Sequence, residues 1–129
     1  YRKKGCFRRM TGFVCSGLYS KNFILNVIAQ GPGSNCKLWS LIQIQKWLEK
    51  SKKKTLLVAE IHDCIIADVV PEELQEFLTV SERIMTEDIR KAWKWIICPM
   101  EAEVDVTPVN GSWDRKSPYV RVDGAWQPK

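Results

Sequence analysis

Residues 56–70 form two apolar, β-branched runs on either side of a polar pair, His62-Asp63. Such runs around a short polar break predict a β-hairpin with the pair at its tip. The break lacks the Asn-Gly or Asp-Gly chemistry that usually closes tight hairpins. Upstream, Ile24, Leu25 and Ile28 follow Ser20 at helical spacing, so a short helix over residues 21–29 with Ser20 as its cap is expected. Gln30-Gly31-Pro32-Gly33-Ser34-Asn35 predicts a break, because proline cannot continue a helix without losing a hydrogen bond. Leu38, Leu41, Ile42 and Leu48, with Trp39 and Ile44 beside them, predict a longer second helix over residues 35–51.

After the hairpin, Pro71-Glu72-Glu73 has the chemistry of a helix start. Leu74, Phe77, Leu78, Ser81, Ile84 and Met85 recur on one face of that helix and predict its buried side. A short helix over residues 87–95, carrying Trp93 and Trp95, is expected next. Residues 101–106 alternate apolar and polar positions strictly and give the clearest strand. Residues 1–17 read as irregular extension, and the stretch from Thr107 as a loop-like tail docking through Trp113 or Trp126. The order helix, helix, strand, strand, helix, helix, strand predicts an α+β fold, a small antiparallel sheet with helices on one face.

Composition narrows the class. A chain of 129 residues, 45% hydrophobic and 27% charged, is that of one globular domain rather than a disordered segment. No apolar run approaches the roughly 20 residues needed to span a bilayer, and no signal peptide is visible. The five cysteines (Cys6, Cys15, Cys36, Cys64, Cys98) show no paired spacing and read as reduced thiols. The chain begins at Tyr1 rather than methionine, so a piece of something longer is expected.

Charge is divided along the chain. Residues 1–54 hold 12 Lys and Arg against a single acid, Glu49, whereas residues 55–129 hold 8 against 14 acids. A basic half invites a polyanion, and an acidic half could hold divalent cations. A solvated basic surface explains the first half equally well.

His62 is the sole histidine. One histidine and scattered cysteines do not supply the ligand set of a zinc site. A Cys64–His62 nucleophilic pair is conceivable but disfavoured. Asp63 could bind Mg²⁺, with water and phosphate oxygens completing the shell. Two-metal phosphoryl transfer needs a second carboxylate; Glu60 and Asp68 are near in sequence, but the hairpin can direct them elsewhere. Asn22, Asn26 and Gln30 fall at i, i+4 and i+8, one amide stripe. Every base pair shows minor-groove acceptors, so such donors can check duplex geometry without reading sequence. A solvated amide face is the competing reading.

Ile61-His62-Asp63-Cys64 at a hairpin tip resembles motif C of family A DNA polymerases, where a hydrophobic residue precedes His-Asp-Glu. Asn26-x-x-x-Gln30-Gly31 is similar to the family's Asn-x-Pro-x-Gln-Gly segment. Ser16-Gly17-Leu18, residues 38–42 and residues 92–96 look like bacteriophage members, and Gly111-Ser112-Trp113 is similar to the Gly-x-x-Trp close of the last strand. The resemblance runs from about Phe7 to Trp113. It implies the C-terminal part of a DNA-directed DNA polymerase, a partial palm. Asp63 would be one of two metal-binding aspartates, His62 would stand beside the primer terminus, and Asn26 and Gln30 would track the minor groove.

Lys21, Arg8, Arg9 and Asn22 would join the DNA contacts, although Asn22 falls where the family often has arginine. Residues 1–54 would be the basic duplex-contacting part, 55–107 the palm hairpin, helices and last strand, and 108–129 a tail. Two Mg²⁺ ions, primer-template DNA, deoxynucleoside triphosphates and an upstream polypeptide would complete the enzyme, in the cytoplasm of a phage-infected bacterium. Cys64 stands in place of the usual Glu, Ile28 in place of the Pro, and Pro32-Gly33-Ser34-Asn35 in place of Thr-Ala-Ala-Asp. Motif A (Asp-x-Ser-x-x-Glu) and motif B (Arg-x-x-x-Lys) are absent, so the chain alone is expected not to polymerise. A non-catalytic duplex-binding module is the alternative.

Overall fold

The computed structural model describes residues 4–129; the expectation of irregular chain at Tyr1–Lys3 lies outside the described residues. Among the described residues, seven strands and two main helical segments are arranged as α+β, in three small antiparallel sheets rather than the one thin sheet expected. The predicted hairpin is present. Strand β3 (Leu56–Ile61) pairs with β4 (Cys64–Asp68), leaving His62-Asp63 as a two-residue tip. His62 takes a positive φ of 51°, a conformation uncommon outside glycine but one that histidine adopts more readily than most residues.

The expected break between two helices does not occur. Helix α1 runs unbroken from Lys21 to Lys50, with Pro32 in its interior. Ser20 caps it as expected, its hydroxyl accepting from the Phe23 N–H at 3.2 Å. A proline inside a helix costs roughly 3 kcal/mol, so contacts elsewhere must offset it. Strands β1 (Lys4–Arg8) and β2 (Val14–Leu18) form a hairpin where irregular chain was expected. Arg9, just past β1, lays its guanidinium over Gly31, where a Cβ would come within 2.8 Å of it, and donates to Asn35 Oδ1 at 3.0 Å. The glycine beside the proline thus serves close packing rather than a turn.

The C-terminal half of α1 carries Ile44 and Leu48 into the core, with buried Ser40 on the same side. The helix ends with Lys52 in the left-handed region, its N–H bonded to Glu49 O and that of Lys53 to Leu48 O. This is a Schellman-type stop made without glycine.

Helix α2 (Leu74–Arg83) begins after a 3-10 turn at Pro71–Glu73, and its predicted inner face is the observed one: Phe77, Leu78 and Ile84 are buried. The separate helix expected at 87–95 is instead a continuation through a π turn (Ile84–Asp88) into the short α3 (Ile89–Ala92). The strand expected at 101–106 is only β5 (Val104–Val106). The tail is folded: β6 (Ser117–Val122) and β7 (Ala125–Pro128) form a hairpin that pairs with β5. Trp126, 6% exposed, joins Ile44, Leu48, Phe77, Leu78 and Ile84 in one cluster, whereas Trp113 stays in solvent.

Glu73 ties the base of the β3–β4 hairpin. Its carboxylate accepts from Thr55 Oγ1 at 2.7 Å and from the N–H groups of Thr55 and Lys54. The Thr55 hydroxyl in turn accepts from Val70 N–H, beyond β4. The Thr55 hydroxyl first, then the two backbone donors, hold the Glu73 carboxyl below its ordinary value of 4.5. A carboxyl lowered on folding contributes stability that is present above its unfolded value and lost as pH falls through the folded one. Urea midpoints measured from neutral pH downwards are therefore expected to decline below about pH 4.5. Glu73→Gln should lower the neutral midpoint and make that acid decline shallower.

Candidate metal-binding tip and duplex-facing helix

The tip of the β3–β4 hairpin presents His62 and Asp63 to solvent. Among the described residues the Asp63 side chain makes no hydrogen bond or ion pair, so its carboxylate is available. The pairing register explains where the neighbouring acids go. Leu57 pairs with Ala67 and Ala59 with Ile66, so Val58 is an extra residue, a β-bulge. The bulge reverses the parity of β3 beyond it, placing Glu60 on the same side as Leu57, Ile65 and Ala67, facing α1. There the Glu60 carboxylate meets Lys37 Nζ at 3.0 Å. Asp68 pairs with Leu56 at the far end of the hairpin. Neither acid converges on Asp63.

Among the described residues no group of three His, Cys, Asp or Glu side chains could enclose a metal ion. Asp63 nevertheless fits Mg²⁺ as one ligand, since that ion commonly takes one or two protein carboxylates and fills its shell with water and phosphate oxygens.

Helix α1 supplies the second part of the site. Asn22, Asn26 and Gln30 are exposed and stand one turn apart. At 100° per residue, this face continues through Lys37 and Ser40 to Ile44 and Leu48. One side of the helix therefore carries amides in its first half and core residues in its second. Lys37 stands at the change, donating to His62 O at 2.8 Å. Asn22 and Lys37 are separated by about 22 Å of helix.

Lys21 and Arg8 are exposed on this basic part. Arg9 is partly buried; its guanidinium bonds to Asn35 and lies 5.5 Å from the Phe13 ring centroid, which commits it to holding β1–β2 against α1. The sequence reading missed Lys37. Its only local signal was its place on the amide face, seven residues past Gln30.

No helix among the described residues is long and apolar enough to cross a membrane. No protein-family model matches the chain, and no solved structure matches it. A DNA polymerase of Bacillus phage SP01 is 36% identical over 61 residues, which make up 47% of this chain and 7% of that polymerase. Over about half its length, the chain is related to a phage DNA polymerase.

Proposed function

We propose that the chain is the C-terminal part of a family A DNA-directed DNA polymerase, a partial palm contributing half of a nucleotidyl-transfer site. The observation that carries this reading is the continuous α1 face that leads from exposed amides to the hairpin tip bearing Asp63. A duplex lying along Asn22, Asn26 and Gln30 would bring its end to His62 and Asp63. The similarity to a phage DNA polymerase supports the same assignment.

Each residue then has a task. Asn26 and Gln30 donate to minor-groove acceptors that every base pair offers. Lys21 and Arg8 neutralise phosphates, whereas Arg9 serves the grip indirectly by holding the β1–β2 hairpin against α1. His62 borders the primer terminus, and Asp63 holds a divalent cation. Bound Mg²⁺ would supply charge stabilisation at the transferring phosphate. With one free carboxylate at the tip, the chain needs an upstream polypeptide carrying motifs A and B, together with primer-template DNA and deoxynucleoside triphosphates.

Primer extension tests this directly, with the chain alone and then mixed with the polypeptide encoded upstream. Extension in the mixture only is the expected result. Salt-sensitive duplex binding without extension in any folded mixture would instead favour a non-catalytic duplex-binding module. Asn26→Ala and Gln30→Ala are each expected to weaken duplex binding about 3–10-fold, the value of one lost hydrogen bond. Fluorescence anisotropy on two duplexes of unrelated sequence should give equal losses on both.

A further inference from the structure

Resting on the polymerase reading, we propose that Lys37 is a positioning residue that fixes Asp63 relative to the duplex-facing side of α1. The carbonyl that Lys37 Nζ reaches at 2.8 Å belongs to the peptide joining His62 to Asp63. That peptide is planar, so holding its oxygen fixes the plane from which the Asp63 backbone departs. The tip needs such a hold. Sheet β3–β4 has no third strand among the described residues; its inner face packs through Leu57, Ile65 and Ala67, but residues 61–64 at the tip are exposed and lack that support. His62 is also in the left-handed region, a sparsely populated conformation for a non-glycine residue, which an outside contact helps to hold.

Burial separates this contact from an ordinary surface ion pair. The Lys37 side chain is 14% exposed, against 48% for Glu60. The lysine is committed to the hairpin, and the bulge at Val58 turns Glu60 toward it. An ammonium has three donors, so Lys37 serves Glu60 and the tip carbonyl together. It stands about 10 Å along the helix from Gln30, on the face that carries the amides. Lys37 therefore links the grip on the duplex to the position of the candidate metal ligand.

The test uses the assembled enzyme, this chain with its upstream polypeptide, carrying Lys37→Met, Lys37→Arg or Glu60→Gln. Lys37→Met keeps the length of the side chain and removes its donors. It is expected to slow extension about 10–100-fold, the scale of a catalytic group displaced by about 1 Å, and to raise the Mg²⁺ concentration needed for half-maximal rate. Duplex affinity and the unfolding midpoint should stay near wild type. Amide hydrogen exchange at residues 62–64 should rise selectively, a readout independent of activity. Lys37→Arg should recover part of the rate, and Glu60→Gln should cost less than Lys37→Met, because the bond to the tip carbonyl survives.

Wild-type rate and Mg²⁺ dependence in Lys37→Met, alongside an inactive Asp63→Asn, would overturn the positioning role and leave the polymerase reading standing. A slow Lys37→Met enzyme with a lowered unfolding midpoint and no selective exchange at the tip would also overturn it, as a general loss of fold. Absence of extension by the wild-type assembly would remove the polymerase reading and this inference with it.

Discussion

Under the proposed polymerase reading, Asp63→Asn is expected to reduce primer extension by the assembled enzyme about 1,000-fold or more while leaving the fold and duplex binding intact. The exchange keeps the size of the side chain and replaces an anionic oxygen donor with a neutral amide. Mg²⁺ binds hard, charged oxygens and has few protein ligands to spare, so losing one is severe. A 1,000-fold loss corresponds to about 4 kcal/mol of transition-state stabilisation, within the range for removing one preorganised electrostatic partner. The fold should not respond. Asp63 is exposed at a turn, and its side chain has no partner among the described residues. Single-turnover extension, thermal melting and Mg²⁺-free duplex anisotropy would separate these effects. Extension within tenfold of wild type would remove Asp63 from the metal site.

Trp126→Ala is expected to lower stability by about 3–5 kcal/mol, the usual range for removing a buried aromatic side chain. Against a total of roughly 5–15 kcal/mol for a domain, that loss is large. Trp126 stands in the core cluster with Phe77, Leu78, Ile44, Leu48 and Ile84, and its indole Nε1–H donates to Thr79 Oγ1 at 3.2 Å. Its backbone is held as well. Gln75 donates to Trp126 O at 2.7 Å and accepts from Trp126 N–H at 2.8 Å, so a side-chain amide takes the place of a neighbouring strand. Arg121 pairs with Glu82 and adds a second tie between the β6–β7 hairpin and α2. Trp113→Ala makes the control: at 56% exposed, it should change stability by no more than about 0.5–1 kcal/mol. Urea unfolding of both variants would check the contrast, and equal effects would refute it.

The contrast between those tryptophans shows where sequence reasoning stopped. Both lie among prolines and glycines without apolar periodicity, and nothing in their neighbourhoods ranks one above the other. Their fates depend on Gln75 and Thr79, about fifty residues away in sequence. The candidate site divides similarly. The spacing of Asn22, Asn26 and Gln30 and the place of Asp63 at a turn were legible. Lys37 was not, because its partner is the His62 carbonyl 25 residues downstream.

The sequence by itself determined what neighbours within a few residues control. Ser20 caps α1, the face of Phe77, Leu78 and Ile84 turns inward, β-branched runs flank His62-Asp63, and the whole is α+β. Only the tertiary structure decided that α1 passes through Gly31-Pro32-Gly33. Locally a proline argues for a break. Burial of Ser40, Ile44 and Leu48 on one side and the Arg9–Asn35 bond on the other act on the same rod of helix and offset that local cost. The bulge at Val58 was likewise decided at long range, since two-residue alternation is consistent with either register and the contact between Glu60 and Lys37 favours one. Local patterns set which elements can form; contacts across the fold select how far each one extends and which way it faces.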